Sequence, residues 1–260
     1  MEPAVVISHG SWNTPEHYEE LIVHLKKIFK YVVCPRLPSA TSTLPLPETA
    51  NLKHDTAAIR QAVTELADKG RPVVLLMHSY GGVVGNNAVD GLLWPQQKAE
   101  QKSGGVVHLV YNSAFVIPAG TAICTPFNSE ILPWLYDGAD GTLWMKSPRN
   151  AFYSHIEDEM EAKKWLDKTV LCPSSVIKDV TEYAPYELVG HGVDATYIVN
   201  RGDFEAKAEV QEMMATLLGD SRRMTYIESG HCSMIGNAAE LARAVEEAWS
   251  VSKMKLEQES

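Results

Sequence analysis

The sequence predicts an α/β fold, a mostly parallel sheet of about six strands with helices on both faces, and three observations lead there. Short apolar runs alternate with stretches of helical period along most of the chain. The run Val73-Val74-Leu75-Leu76-Met77 is wholly apolar, as expected of a strand buried on both faces of a parallel sheet. The 260 residues, 45% hydrophobic and 22% charged, have ordinary globular composition and suffice for one sizeable domain.

Ala4-Val5-Val6-Ile7 reads as the first strand, and His9-Gly10-Ser11-Trp12 turns the chain out of it. Thr14 is a good N-cap and Pro15 suits the first helical position. Tyr18, Leu21, Ile22, Leu25 and Ile28 then share one helical face. Tyr31-Val32-Val33-Cys34 is the second strand, stopped by Pro35, and the Pro-, Ser- and Thr-rich stretch 37–47 is a loop. His54 to Lys69 reads as an amphipathic helix, with Ala58, Ile59, Ala62, Val63 and Leu66 inward and Gly70 as its stop. Pro72 to Met77 is the third strand, and a helix follows from about Gly82. Val106 to Val110 and Ala195 to Val199 are the fourth and fifth strands, and Arg223 to Ile227 is a weaker sixth. Ala238 to Trp249 is the closing helix, with a polar tail from Ser250.

One segment breaks the rhythm. Between Pro118 and His191 no clean strand–helix unit occurs, yet Trp134, Trp144 and Trp165 lie there with several Phe and Tyr residues. Asp140-Gly141 between Tyr136 and Trp144 marks a small hairpin, and Glu157 to Leu166 reads as a helix. The expected organisation is a core of residues 1–117 and 192–260 with a lid, 118–191, inserted over the sheet.

Charge and cysteine usage exclude several functions. Acidic residues number 33 against 23 basic, a net charge of −10, which argues against nucleic acid or an anionic membrane as partner. No apolar run is long enough to span a bilayer. The start Met1-Glu2-Pro3 lacks the features of a signal peptide, so a cytoplasmic location is expected. Cys34, Cys124, Cys172 and Cys232 stand far apart without a CxxC pair, which argues for reduced thiols and against zinc or disulfide exchange.

The sharpest chemical feature is Met77-His78-Ser79-Tyr80-Gly81-Gly82, at the exit of the most apolar strand and the entrance of a helix. A serine on such a turn is held strained with its hydroxyl exposed, and the amide of the next residue, Tyr80, begins a helix whose dipole favours an oxyanion. A serine nucleophile needs a base. Of nine histidines, His17, His24 and His54 lie on or beside helix faces and are expected to be solvated, and His108 lies inside a strand. His191 precedes the fifth strand. His231 follows the sixth, on the same edge as Ser79, which makes it the favoured base. The imidazole needs an acid, and Asp203 at the exit of the fifth strand supplies one, with Glu205 as its near rival. The order Ser79, Asp203, His231 is the nucleophile–acid–base order of the strand–turn–helix hydrolases. Ser11, after the first strand, is the candidate second oxyanion donor, with Gly10 permitting close approach. Trp12, His78, Trp134 and Trp144 are candidate pocket residues.

On these residues the chain resembles the α/β-hydrolase superfamily, and within it the compact branch that holds plant methylesterases and hydroxynitrile lyases. It is most similar to uncharacterised fungal hydrolases. The resemblance covers nearly the whole chain and implies the α/β-hydrolase fold, with Ser79, Asp203 and His231 as triad and Ser11 and Tyr80 as oxyanion donors. One departure stands in the nucleophile turn, where Met77 replaces the family's usual glycine. Another bears on chemistry. The branch's hydroxynitrile lyases carry a lysine after the catalytic histidine and a threonine in the first loop, and Cys232 and Gly10 stand here instead. Ester or lactone hydrolysis on a small to medium, apolar or aromatic substrate is therefore expected, without metal or organic cofactor. C–C cleavage, lyase chemistry or thioester release at the same residues, and a non-catalytic receptor, are the rivals. A second copy of the chain is a candidate partner, through the strand near Thr225 and the final helix.

Overall fold

The computed structural model describes residues 2–127 and 132–258. Strand β1 (Ala4–Ser8) leads through a 3₁₀ turn at Pro15–Tyr18 into helix α1 (Glu19–Leu25) and strand β2 (Tyr31–Val33). Helix α2 (Leu52–Ala67), strand β3 (Pro72–His78), helices α3 (Gly81–Ala88) and α4 (Trp94–Ala99) and strand β4 (Gly105–Asn112) follow. Next come β5 (Leu135–Asp137), β6 (Leu143–Met145), α5 (Pro148–Tyr153), α6 (Glu159–Leu166) and α7 (Ser175–Lys178). The chain closes with β7 (Asp194–Asn200), α8 (Ala208–Ala215), β8 (Arg223–Ile227) and α9 (Ala238–Gln258).

Six strands form one parallel sheet in the order β2-β1-β3-β4-β7-β8, the α/β-hydrolase arrangement expected from the sequence. Every residue of β1, β3 and β4 is buried, so these strands carry no polar alternation. Successive side chains point to opposite faces. Val6, Leu75 and Met77 join the face covered by α2 and α3, while Ile7, Val74 and Leu76 join the face covered by α1 and α9. The strand order reverses between β1 and β3, and pairs such as Ser8 with Met77 and His78 with Asn112 bring the strand exits to one edge. That is where an open parallel sheet forms its crevice.

The segment 118–191 packs into both layers. Leu132, Leu143, Val176 and Ile177 join the first core, and Ala151, Phe152, Tyr153 and Ala162 join the second. Its hairpin is present, with Tyr136 opposite Trp144 and Gly141 in the left-handed region at φ 81°.

Three local expectations are corrected. The polar tail from Ser250 is helical to Gln258, because Ser252 and Leu256 are buried. Ser252 Oγ lies 2.9 Å from both His108 Nδ1 and Asp194 Oδ2, and His108 Nε2 lies 2.8 Å from Thr196 Oγ1. The strand histidine is thus satisfied from the closing helix. His17 is buried rather than solvated, its Nδ1 accepting from the Thr14 amide and its ring lying 5.6 Å from Trp165. His24 and His54 are half-buried. Helix α4 went unread because it is only six residues long and lacks a full apolar repeat.

Candidate active site

Ser79 sits between β3 and α3 with φ 55°, the left-handed backbone that a side chain rarely adopts. Such strain costs about 1–3 kcal/mol and is kept only where the surroundings enforce it. Glycines enforce it here. A Cβ on Gly81 would strike the Ser8 carbonyl, and one on Gly82 the Phe115 carbonyl, so helix α3 can start only where both are absent. Met77 is accommodated one helical turn further on. A Cβ on Gly85 would collide with the Met77 sulfur, so the space normally left by glycine before the nucleophile is left by Gly85 instead.

The structure brings the three strand exits to one edge of the sheet. Ser79, Asp203 and His231 are all buried, and Ser79 and His231 line one cavity of about 40 Å³ with Ser11, Trp12, Tyr80, Phe115, Trp134 and Glu205 among its walls. His231 Nδ1–H donates to Asp203 Oδ2 at 2.7 Å, which leaves Nε2 as the basic nitrogen. Asp203 Oδ1 accepts the amides of Glu205 and Ala206, both at 3.0 Å, so the carboxylate is held on both oxygens. Burial works against the His231 imidazolium. The charge and hydrogen bond of Asp203, with the charge of Glu205, outweigh it and set the group above its ordinary pKa.

His78 is not a pocket wall. The strand points its side chain beneath the cavity, where burial holds the ring neutral and its pKa far below the usual value. Its Nε2–H donates to the His231 carbonyl at 3.0 Å, and its Nδ1 accepts from Tyr18 Oη at 2.7 Å. Tyr18 in turn accepts the Gly10 amide at 3.0 Å. One hydrogen-bonded chain therefore ties the first loop, the nucleophile turn and the histidine loop together. Trp144 is not at the cavity either. It is 44% exposed, donates to Thr142, and lines an outer groove of about 360 Å³ that shares only Trp12, Met145 and Phe152 with the Ser79 cavity. Trp12 and Trp134 line the Ser79 cavity.

Two supporting residues escaped the sequence reading. Tyr80 Oη donates to Asp55 Oδ2 at 2.9 Å, and Asp55 Oδ1 accepts the Ser39 amide at 2.8 Å. The helix α2 carboxyl so braces the residue after the serine, and burial raises its pKa to about 6 despite those bonds. The signal was a carboxylate four residues before Ile59 and eight before Val63, on the buried stripe of α2. Gln211 is the other. It accepts from Ser113 Oγ and the Asn200 amide, and it donates to the Asn200 and Ala206 carbonyls, closing the Asp203 turn from below.

The 118–191 segment also reaches the site through hydrogen bonds involving main-chain groups. The Val170 amide donates to the Trp12 carbonyl at 3.0 Å, and the Cys232 amide to the Phe152 carbonyl at 3.2 Å. Ser154 Oγ donates to the Gly202 carbonyl, and His155 Nε2–H to the Ile235 carbonyl. No cluster of metal-ligating side chains occurs among the described residues, and no described helix is long and apolar enough to cross a membrane.

The sequence model described as "Alpha/beta hydrolase family" matches residues 5–244. A curated relative, "Alpha/beta hydrolase nvfD" of Aspergillus novofumigatus, is 26% identical over 95% of this chain and 97% of its own. Among solved structures, an extracellular α/β-hydrolase from a Paenibacillus species superposes with TM-score 0.71 at 15% identity, over 95% of this chain and 98% of that one. It is described as sharing structural and functional homology with tobacco Salicylic Acid Binding Protein 2. Polyneuridine aldehyde esterase superposes with TM-score 0.68 at 14% identity, over 95% of this chain and 99% of that one. At these identities the structural likeness concerns the fold.

Proposed function

This chain belongs to the α/β-hydrolase family, and on that premise we propose that it is a serine hydrolase that cleaves a carboxylic ester or lactone through an acyl-enzyme. The observation that carries the proposal is a strained Ser79 sharing a cavity with His231, whose Nδ1 is fixed by Asp203 at 2.7 Å. His231 Nε2 takes the Ser79 proton as the serine oxygen bonds to the substrate carbonyl carbon. The electron pair displaced onto the carbonyl oxygen is held by the amides of Ser11 and Tyr80, two walls of that cavity. His231 then gives the proton to the leaving alcohol as the C–O bond breaks. Water repeats the sequence, releasing the acid and restoring Ser79. No cofactor is required.

The walls of the cavity, Trp12, Phe115, Leu132, Trp134 and Phe152, favour an apolar or aromatic substrate. A volume of about 40 Å³ holds little more than water, so residues 118–191 act as a lid that shifts to admit it. The esterase among the structural neighbours supports the choice of ester chemistry. A panel of p-nitrophenyl esters and aryl lactones of graded acyl size tests it. Turnover is expected in the native protein and lost in both Ser79→Ala and His231→Ala. Turnover surviving Ser79→Ala would show that the serine forms no acyl-enzyme and that His231 activates water directly, which overturns the proposed mechanism.

A further inference from the structure

Two carboxyl groups leave the same turn and meet opposite fates. Asp203 is fully engaged, as described. Glu205, two residues on, turns into the cavity that holds Ser79 and His231, and it also lines a neighbouring apolar groove of about 320 Å³. That groove is bounded by Phe115, Ile123, Trp134, Val210, Met213 and Leu217, among others. Glu205 Oε2 is buried and has no hydrogen-bond partner among the described residues. Its main chain is pinned, because the Glu205 amide donates to Asp203 Oδ1. The carboxyl is thus presented from a fixed backbone at the junction of a reactive cavity and an apolar groove.

We propose that Glu205 selects the substrate, by hydrogen bonding a hydroxyl group that the substrate carries near its scissile carbonyl while the apolar remainder lies in the adjoining groove. The proposal rests on the serine-hydrolase reading and narrows it to hydroxylated esters or lactones. A hydroxyl suits the position for two reasons. Burial, only partly opposed by the His231 charge, lifts the Glu205 carboxyl to about 7, so both of its protonation states occur near neutrality. A hydroxyl donates to one and accepts from the other, whereas an ammonium ion pairs only with the carboxylate and must be stripped of water beside an apolar groove. A buried acceptor without a partner also disfavours any ligand that leaves it so, and this is the basis of discrimination against the deoxy analogue.

The test uses p-nitrophenyl hexanoate and its 2- and 3-hydroxy derivatives, whose hydroxyl groups cannot close a five- or six-membered lactone on the activated ester. The native protein is expected to favour one hydroxylated isomer over the parent by roughly 10- to 100-fold in kcat/KM. Glu205→Gln, which still hydrogen bonds, keeps part of that preference, and Glu205→Leu brings the ratio toward one. Binding of the matching methyl esters to Ser79→Ala protein, with and without Glu205→Leu, is measured by calorimetry and shows the same pattern without turnover. Equal kcat/KM for parent and all isomers in the native protein, or an unchanged preference in Glu205→Leu, overturns the proposal. Absence of turnover with every ester, alongside a Glu205-dependent binding preference in Ser79→Ala, overturns the hydrolase reading and leaves Glu205 as the selector.

Discussion

Along the sheet edge, Ser79, Asp203 and His231 are each held by close-packed or hydrogen-bonded groups: the glycines under α3, the amides of the Asp203 turn, and the His78–Tyr18 chain beneath the histidine loop. Across the cavity, Trp134 and Phe152 come from the 118–191 segment, whose hairpin strands are three residues long and whose helices span four to eight. On the proposed function, the difference separates two tasks. Chemistry needs atoms fixed to within a fraction of an ångström, and buried strand exits supply that. Apolar contact with a substrate needs a wall that can be varied, and short elements packed over the edge carry much of it, while Glu205 reaches in from the fixed side.

The sharpest way to break this comparison is to alter the two sides in turn. His231→Ala is expected to lower kcat by about 10⁶-fold, as removal of a base does when it acts as a unit with its serine. Asp203→Asn is expected to cost about 10⁴-fold in kcat, because the imidazole loses the partner that sets its tautomer and stabilises its cation. The two substitutions should leave urea midpoints far less changed than rates.

The pH profile sharpens the same side. His231 must be unprotonated to act as base, and its pKa is raised, so kcat/KM falls as pH drops through a value above 6.5. In Asp203→Asn the downward pull of burial loses its main opponent, and the acid limb of the residual activity moves to lower pH. A limb that stays in place would show that Asp203 does not set the titration of the base.

On the other side, Trp134→Ala is expected to raise KM for apolar esters about 10-fold while changing kcat little, because it removes wall area that binds ground and transition states alike. Trp144→Ala, at an exposed position, should change neither kinetic constant and shift stability by less than about 0.5 kcal/mol. Gly85→Ala is a packing test beneath the nucleophile turn. The added methyl meets Met77, costs about 1–3 kcal/mol, and is relieved in part when combined with Met77→Ala. Additive effects of the pair would refute the exchange of space between the two positions.

What was readable in the sequence follows the same division. Buried parallel strands leave long apolar runs, and the residues at their exits fall on one edge by topology alone, which is what makes Ser79, Asp203 and His231 candidates in the sequence. The segment 118–191 offers no such constraint. In strands three residues long, alternation cannot show that Leu143 faces in and Trp144 out, so the sequence does not reveal that Trp144 lines the outer groove rather than the Ser79 cavity. His78 shows a second limit. Its position at the strand exit was clear, but the direction of its side chain depends on Tyr18 and the His231 carbonyl, 60 and 153 residues away in sequence. Asp55 and Gln211 act by reach from helices, and helical period reports a face rather than a partner.

The central claim is that Ser79 is an activated nucleophile. Treatment with a fluorophosphonate probe, followed by intact-mass measurement and peptide mapping, tests it most directly. One adduct per chain on Ser79 is expected, absent in Ser79→Ala and strongly slowed in His231→Ala. A folded native protein that takes up no probe, or that carries it equally in Ser79→Ala, would contradict the account.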